Sequence, residues 1–287
     1  MFGEEWQLLL FTLLMQLAVG TYLFLTIVRA SGKIPETIKM KVTKLGMASV
    51  GPVVVIAILL SVLHLGNPFG AYWSIANFAS SWLSREILFT GAFFILWGVS
   101  YYLERKGSWN QLLGWAASLV GLVAIFSMAS IYATSIIPAW SDFNTYLQFF
   151  GTTLFFGSIA AVLLILWSRE EKTEELNKML KKLVIVGIAA IALQLVYLPV
   201  YIAGLSMSGV AGAESVALLS STYVWPGILR WTLTIAGAVL VVWALFKGRN
   251  QIVGNYSLLY AAVVFIIAGE ILGRFIFYAT GVPIMIG

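Results

Sequence analysis

Eight long apolar runs dominate this sequence, and each is long enough to cross the roughly 30 Å hydrocarbon core of a bilayer as a helix. The runs cover positions 6–28, 45–65, 86–103, 111–134, 144–167, 183–204, 224–246 and 256–280. Charged residues make up only 10% of the chain, against about 25% in soluble domains. The runs lack the alternating pattern of barrel strands. The sequence therefore predicts an all-α integral membrane protein, a single eight-transmembrane-helix bundle over residues 1–287.

The basic residues predict how this bundle is oriented. Of the 17 Lys and Arg residues, 14 lie in four alternate connections, at 29–44, 104–109, 168–182 and 247–255. The intervening connections contain none. Because cytoplasmic loops are enriched in Lys and Arg, both termini are predicted on the outer face of a prokaryotic cytoplasmic membrane. The net charge of +5 is therefore interpreted as a topology signal and a contact with membrane lipid, not as a nucleic-acid-binding surface.

Two amino-acid counts restrict the redox groups that the protein could hold. Cysteine is absent, which excludes disulfides and a cysteine-ligated iron–sulfur cluster in this chain. Histidine occurs once, as His64, so a transmembrane haem with two histidine ligands cannot be built. The sequence predicts neither haem nor iron–sulfur cluster here.

Six ionisable residues remain in or beside the predicted spans. They are His64, Arg85, Glu86, Arg230, Glu270 and Arg274. A charge at mid-span costs about 2.5–3.5 kcal/mol on insertion scales, so such residues persist where they pair, line a cavity or do chemistry. With the predicted orientation all six fall in the outer half of the bundle, although they come from four different helices. This shared layer indicates a functional site near the outer face.

Two of these residues suit the proton-coupled oxidation of a quinol. An imidazole titrates near neutral pH, so His64 can accept a hydrogen bond and then a proton from a quinol hydroxyl. A carboxylate beside water, such as Glu86, can pass that proton on. Tyr72 lies nearby in sequence and could form part of the aromatic wall that a lipophilic ring requires.

The remaining charged residues are predicted to support this site. Glu270 and Arg274 are spaced i,i+4 with the acid first, the favourable order for a helical ion pair. Arg85 and Arg230 could contact the same ligand. Each also has a purely structural alternative: a bond to a carbonyl, a lipid headgroup contact, or an ion pair without further function.

Three stretches resemble the dimethyl sulfoxide reductase membrane-anchor family (DmsC-like). They are HLGNPF at 64–69, SWLSREI at 81–87 and AGEILGRFIFY at 268–278, and they occur in the family's order. The resemblance implies a complex in which a molybdopterin catalytic subunit is wired to the membrane by a ferredoxin-like subunit with [4Fe–4S] clusters. The anchor would bind and oxidise menaquinol, with His64 and Glu86 at the positions of the family's quinol-site histidine and glutamate. Members of that family often have a basic residue at the position that Gly70 occupies in this sequence.

Two alternatives stay open on the sequence alone. A secondary transporter or ion carrier would also place charged residues near the outer face, although the sequence shows no inverted repeat. A cytochrome b-type anchor, as in nitrate reductases, would need haem ligands beyond His64. Copurification of an iron–sulfur protein would distinguish an anchor subunit from a transporter. An absorption spectrum without haem bands would reject the cytochrome b-type anchor.

Overall fold

A computed structural model describes residues 6–64, 77–168, 173–246 and 256–284, except for the side chains at positions 64, 246 and 256. Within these ranges the chain forms α1 (Trp6–Ala30), α2 (Glu36–His64), α3 (Trp82–Arg105), α4 (Gln111–Ala133), α5 (Phe143–Trp167), α6 (Glu174–Ser206), α7 (Gly209–Ser220), α8 (Val224–Phe246) and α9 (Tyr256–Ala279). All but α7 are long and apolar enough to cross a membrane. The predicted all-α architecture with eight spans is therefore confirmed.

Two spans extend well beyond their apolar runs. The helices α2 and α6 begin at Glu36 and Glu174 rather than at the predicted positions 45 and 183. Their first turns are charged but still helical, because acid–base pairs bridge neighbouring turns. Glu36 pairs with Lys39 at 2.7 Å, and Glu174 pairs with Lys178 at 2.9 Å. Hydropathy marks the part of a helix that lies in lipid, and it misses turns that project into water.

The short helix α7 was predicted as part of a loop. Its first residue, Gly209, has φ of +74°, a backbone conformation that glycine adopts without steric cost. This turn folds α7 back against the end of α6, where a Cβ at Gly212 would collide with the backbone carbonyl of Leu205. With only 12 residues, α7 is too short to span a bilayer.

The described residues form two compact units. The first unit contains the described residues within 6–131 and 148–191, which include α1, α2 and α3. The second unit contains the described residues within 132–147 and 192–284, which include α7, α8 and α9. The helices α4, α5 and α6 contribute residues to both.

The first unit is organised around α1. It is the most buried of the eight spans, with 72% of its apolar window inside the protein. Gly20 of α1 faces Gly157 of α5 so closely that a Cβ on either would collide with the other helix's backbone. Small residues permit such backbone contact between membrane helices, where van der Waals packing replaces the hydrophobic effect as the driving force.

The second unit is built on α8 and α9 and on an aromatic cluster. A Cβ at Gly269 of α9 would meet the hydroxyl of Thr234 on α8, which shows how closely the two helices approach. The hydroxyl groups of Tyr132 and Tyr278 are hydrogen-bonded at 3.0 Å. The Trp140 indole N–H donates to the Phe277 carbonyl at 2.8 Å. These contacts fix the end of α9 through both packing and hydrogen bonds.

Candidate functional site

The relative positions of α2 and α3 determine which residues share one end of the first unit. The Trp97 indole N–H on α3 donates to the Met47 carbonyl on α2 at 2.8 Å, and the indole ring occupies the space over Gly51. Further along, Arg29 contacts both Thr43 of α2 and Glu104 of α3. Residue numbers rise along α2 as they fall along α3, so the two helices are antiparallel.

This register brings His64 and Glu86 to the same end of the helix pair. His64 lies 13 positions beyond Gly51, and Glu86 lies 11 positions before Trp97. At 1.5 Å per residue these separations are about 20 Å and about 17 Å in the same direction. The backbone of His64 and the first turns of α3 are therefore level to within about one helical turn. The His64 side chain and Tyr72 lie outside the described residues.

Glu86 is buried at this end of α3. It is 5% exposed, and no residue of the described ranges forms a hydrogen bond or ion pair with its carboxylate. Burying a carboxylate without a partner is expensive, so such a group indicates a site where a ligand or chemistry requires it. Thr90, one turn further on the same face, is also buried, and its hydroxyl has no hydrogen-bond partner among the residues that the structure describes. Together they present two buried polar groups in the first half of α3.

The first turn of α3 is held in place by hydrogen bonds that do not involve the Glu86 carboxylate. Ser81 caps the helix, and its hydroxyl accepts from the Ser84 backbone N–H at 3.3 Å. Arg85 donates to the carbonyls of Phe78 and Ala79, at 3.0 and 2.7 Å. Its guanidinium also lies 4.2 Å from the Trp82 ring centroid. Arg85 therefore ties the preceding turn to α3 and fixes the position of the neighbouring Glu86.

The other predicted residues form a buried charged group in the second unit. Arg230, Glu270 and Arg274 are 8%, 2% and 3% exposed. A Cβ at Gly273 would lie 2.7 Å from the Arg230 guanidinium carbon, so α9 is built to receive this arginine. Glu270 is close enough to both guanidinium groups to interact electrostatically. The direct i,i+4 pairing of Glu270 with Arg274 stays a prediction.

Two buried polar partners were not predicted from the sequence. Gln194 on α6, 3% exposed, accepts a hydrogen bond from Arg230 at 3.1 Å. Arg29, counted among the cytoplasmic loop cations, is 1% exposed and donates two hydrogen bonds to Glu104. Gln194 could have been recognised as an uncharged polar residue within an apolar run. Arg29 could have been recognised as a basic residue in the last turn of a span.

The sequence is similar to named proteins along nearly its whole length. Residues 2–280 match the family model described as DMSO reductase anchor subunit (DmsC). The sequence is 25% identical to the YnfH subunit of anaerobic dimethyl sulfoxide reductase from Escherichia coli over 280 residues, covering 96% of this protein and 94% of that one. It is 27% identical to the C subunit of anaerobic dimethyl sulfoxide reductase from Haemophilus influenzae, with the same coverage of each protein. This protein therefore belongs to the DMSO reductase anchor subunit (DmsC) family.

Proposed function

We propose that this multi-pass anchor subunit oxidises menaquinol and passes the electrons to an iron–sulfur partner subunit. The partner would be a ferredoxin-like protein with [4Fe–4S] clusters, which in turn reduces a molybdopterin catalytic subunit in anaerobic respiration. One observation carries the proposal: Glu86 is buried without a partner among the described residues, at the end of α3 that is level with His64.

The chemistry requires two proton acceptors beside an apolar binding surface. Oxidation of a quinol to a quinone releases two electrons and two protons. The His64 imidazole accepts a hydrogen bond and then a proton from one quinol hydroxyl, and the Glu86 carboxylate relays a proton towards water. Because this sequence has no cysteine, the electrons pass directly from the bound quinol to a cluster in the partner.

The same reasoning gives the location of the partner. Electrons transfer efficiently only over short distances, so the receiving cluster must lie near the His64 end of α2 and α3. The distribution of Lys and Arg supports the prediction that this end lies at the outer face. The quinol protons are then released on the side where they are consumed in reducing the acceptor. Turnover of the complex therefore moves no net charge across the membrane.

Substitution of the two residues in the assembled complex tests the site. His64→Gln and Glu86→Gln should each lower the rate of quinol-analogue oxidation at least tenfold, since general acid–base groups typically contribute about 10²–10⁴-fold. Electron delivery to the catalytic subunit from a soluble reductant should remain normal. Glu214→Gln, which removes an exposed carboxylate of α7, is the matched control and should leave both rates unchanged.

A second measurement separates binding from chemistry. A quinone-site inhibitor should bind more weakly to the His64→Gln and Glu86→Gln complexes than to the wild type. Unchanged turnover together with unchanged inhibitor affinity would remove both residues from the site. The copurifying proteins provide an independent test, because a transporter would be isolated without iron–sulfur and molybdopterin subunits.

A further inference from the structure

A cavity of about 700 Å³ lies between α2 and α3 in the first unit, at the end opposite to Glu86. Its lining comes from residues 36–48 of α2 and from residues 101–109 at the end of α3 and the following turn. Both segments include parts of the Lys- and Arg-rich connections at 29–44 and 104–109, which are predicted to face the cytoplasm. The quinol chemistry proposed above does not involve this end of the helices.

The acidic residues of the cavity lining are each paired with a cation that does not line the cavity. Glu104 receives two hydrogen bonds from Arg29, at 2.7 and 2.9 Å. Glu36 forms an ion pair with Lys39 at 2.7 Å. Arg29 and Lys39 are both buried and do not line the cavity. The two carboxylates therefore add little negative charge to the space between the helices.

Cationic side chains also line the cavity. Lys41, Lys44 and Arg105 all border the cavity and are exposed to solvent. Arg105 makes one long hydrogen bond, 3.4 Å, to the Tyr101 hydroxyl, which leaves most of its guanidinium donors available. The Lys44 ammonium has no ion pair within the described ranges. Lys44 and Arg105 at one cavity therefore form a site for an anion.

The other residues of the cavity lining indicate what kind of anion the cavity suits. Met40 and Ala48 make part of the wall apolar, and both lie on the helix that continues into the apolar run. The rings of Tyr101 and Trp109 border the same space, and these two residue types are typical of membrane interfaces. A cation cluster joined to an apolar wall at the end of membrane helices suits a molecule with a charged head and an acyl tail.

We propose that this cavity binds the phosphate headgroup of an anionic glycerophospholipid. Lys44 and Arg105 contact the phosphodiester, with Arg105 supplying paired donors and Lys44 a point charge. Met40 and Ala48 contact the start of an acyl tail. Such a lipid would join α2 to α3 at the cytoplasmic end, where the buried Arg29 and Glu104 already connect α1 to α3.

Native mass spectrometry of the purified complex tests the proposal. The complex is incubated with an equimolar mixture of phosphatidylglycerol and phosphatidylethanolamine, and the lipids retained are counted. The wild type should retain phosphatidylglycerol in preference. The double variant Lys44→Gln/Arg105→Gln should lose about fivefold in phosphatidylglycerol affinity for each cation removed.

Two further variants separate this site from general charge effects. Lys33→Gln/Lys182→Gln removes two exposed cations of the first unit that do not line the cavity, and it should retain the wild-type preference. Lys44→Arg/Arg105→Lys keeps both charges and should retain most of the affinity, and a loss as large as that of the neutral variant would contradict a site that depends on these charges. An equal loss in the Lys33/Lys182 variant, or no phosphatidylglycerol preference in the wild type, would overturn the proposal. Displacement of phosphatidylglycerol by excess inorganic phosphate would assign the cavity to a soluble anion and overturn the lipid assignment.

Discussion

Arg29 holds Glu104 by two parallel hydrogen bonds, at 2.7 and 2.9 Å, although the Arg29 side chain is completely shielded from solvent. The same guanidinium donates to the Thr43 hydroxyl at 2.7 Å and lies 4.4 Å from the Trp109 ring centroid. One side chain of α1 thus joins α2, α3 and the connection that follows α3. A buried charge with this many partners stabilises the packing of these three segments.

Removing one partner of this pair should destabilise the protein more than removing both. Glu104→Gln leaves the Arg29 charge buried without its counter-charge, which typically costs about 3–5 kcal/mol. Arg29→Met/Glu104→Met replaces the pair by apolar groups and should be less destabilised than Glu104→Gln alone. Thermal unfolding in detergent measures the difference. A double variant that is destabilised as much as Glu104→Gln, or more, would contradict this account of the pair.

The contact between Trp97 and Gly51 predicts a second stability effect. A Cβ at Gly51 would overlap the indole ring, so Gly51→Ala must displace Trp97 and break its hydrogen bond to Met47. Overpacking of this kind costs about 1–3 kcal/mol. Gly91→Ala on α3 is the matched control, because its Cβ would meet no atom within 4 Å. Gly91→Ala should be neutral or slightly stabilising in the same detergent unfolding assay. Equal effects of the two substitutions would contradict the close packing of α2 on α3.

Much of this architecture could be predicted from the sequence, because lipid imposes a strong and simple requirement. Backbone polar groups in a bilayer must be bonded internally, so an apolar run of sufficient length predicts one helix. The starts of α2 and α6 were missed because their charged turns extend beyond the apolar runs. The helix α7 and its first residue, Gly209, were missed because spans are recognised by the length of an apolar run, and α7 is too short to be recognised in this way.

The candidate site was only partly predictable for a different reason. A charged residue in a span is conspicuous, which identified Glu86, Arg230, Glu270 and Arg274. An uncharged partner such as Gln194 is not conspicuous, since an amide is tolerated in many places. Only tertiary structure shows what each charged side chain contacts, and it shows the Arg85 guanidinium hydrogen-bonded to the turn that precedes α3. Periodicity within one helix carries no such information.

The charged group on α9 should support the second unit without transferring protons. Glu270→Gln should lower the unfolding temperature of the complex more than Arg274→Gln, because it leaves the Arg230 and Arg274 charges buried without their shared acid, whereas Arg274→Gln still leaves Glu270 with Arg230. Glu270→Gln/Arg274→Gln should recover part of that loss. The single variants that assemble should retain quinol-analogue oxidation within a few-fold, unlike Glu86→Gln. Loss of turnover in a stable Glu270→Gln complex would instead make Glu270 part of the proton path.

The predicted outer location of both termini can be tested by the labelling pattern of introduced cysteines. Because the natural sequence has no cysteine, a single introduced thiol is the only reactive group of its kind in this protein. Thr222→Cys and Ser141→Cys place exposed thiols in connections without Lys or Arg, whereas Lys33→Cys lies in a basic connection. A membrane-impermeant maleimide added to sealed right-side-out vesicles should label the first two variants. Lys33→Cys should be labelled only after the membrane is permeabilised.

Two outer positions are needed because a docked partner subunit could shield one of them. Labelling should therefore be compared with and without the partner subunits. Protection of Thr222→Cys or Ser141→Cys on assembly would locate the docking surface. The reversed pattern, with Lys33→Cys labelled in sealed vesicles and the other two protected, would show that the whole bundle has the opposite orientation. With eight spans, the side of one connection determines the side of all the others. It would also move the His64 end of α2 to the cytoplasm. The quinol protons and the partner subunits would then be on that side, and the lipid cavity would lie in the outer leaflet.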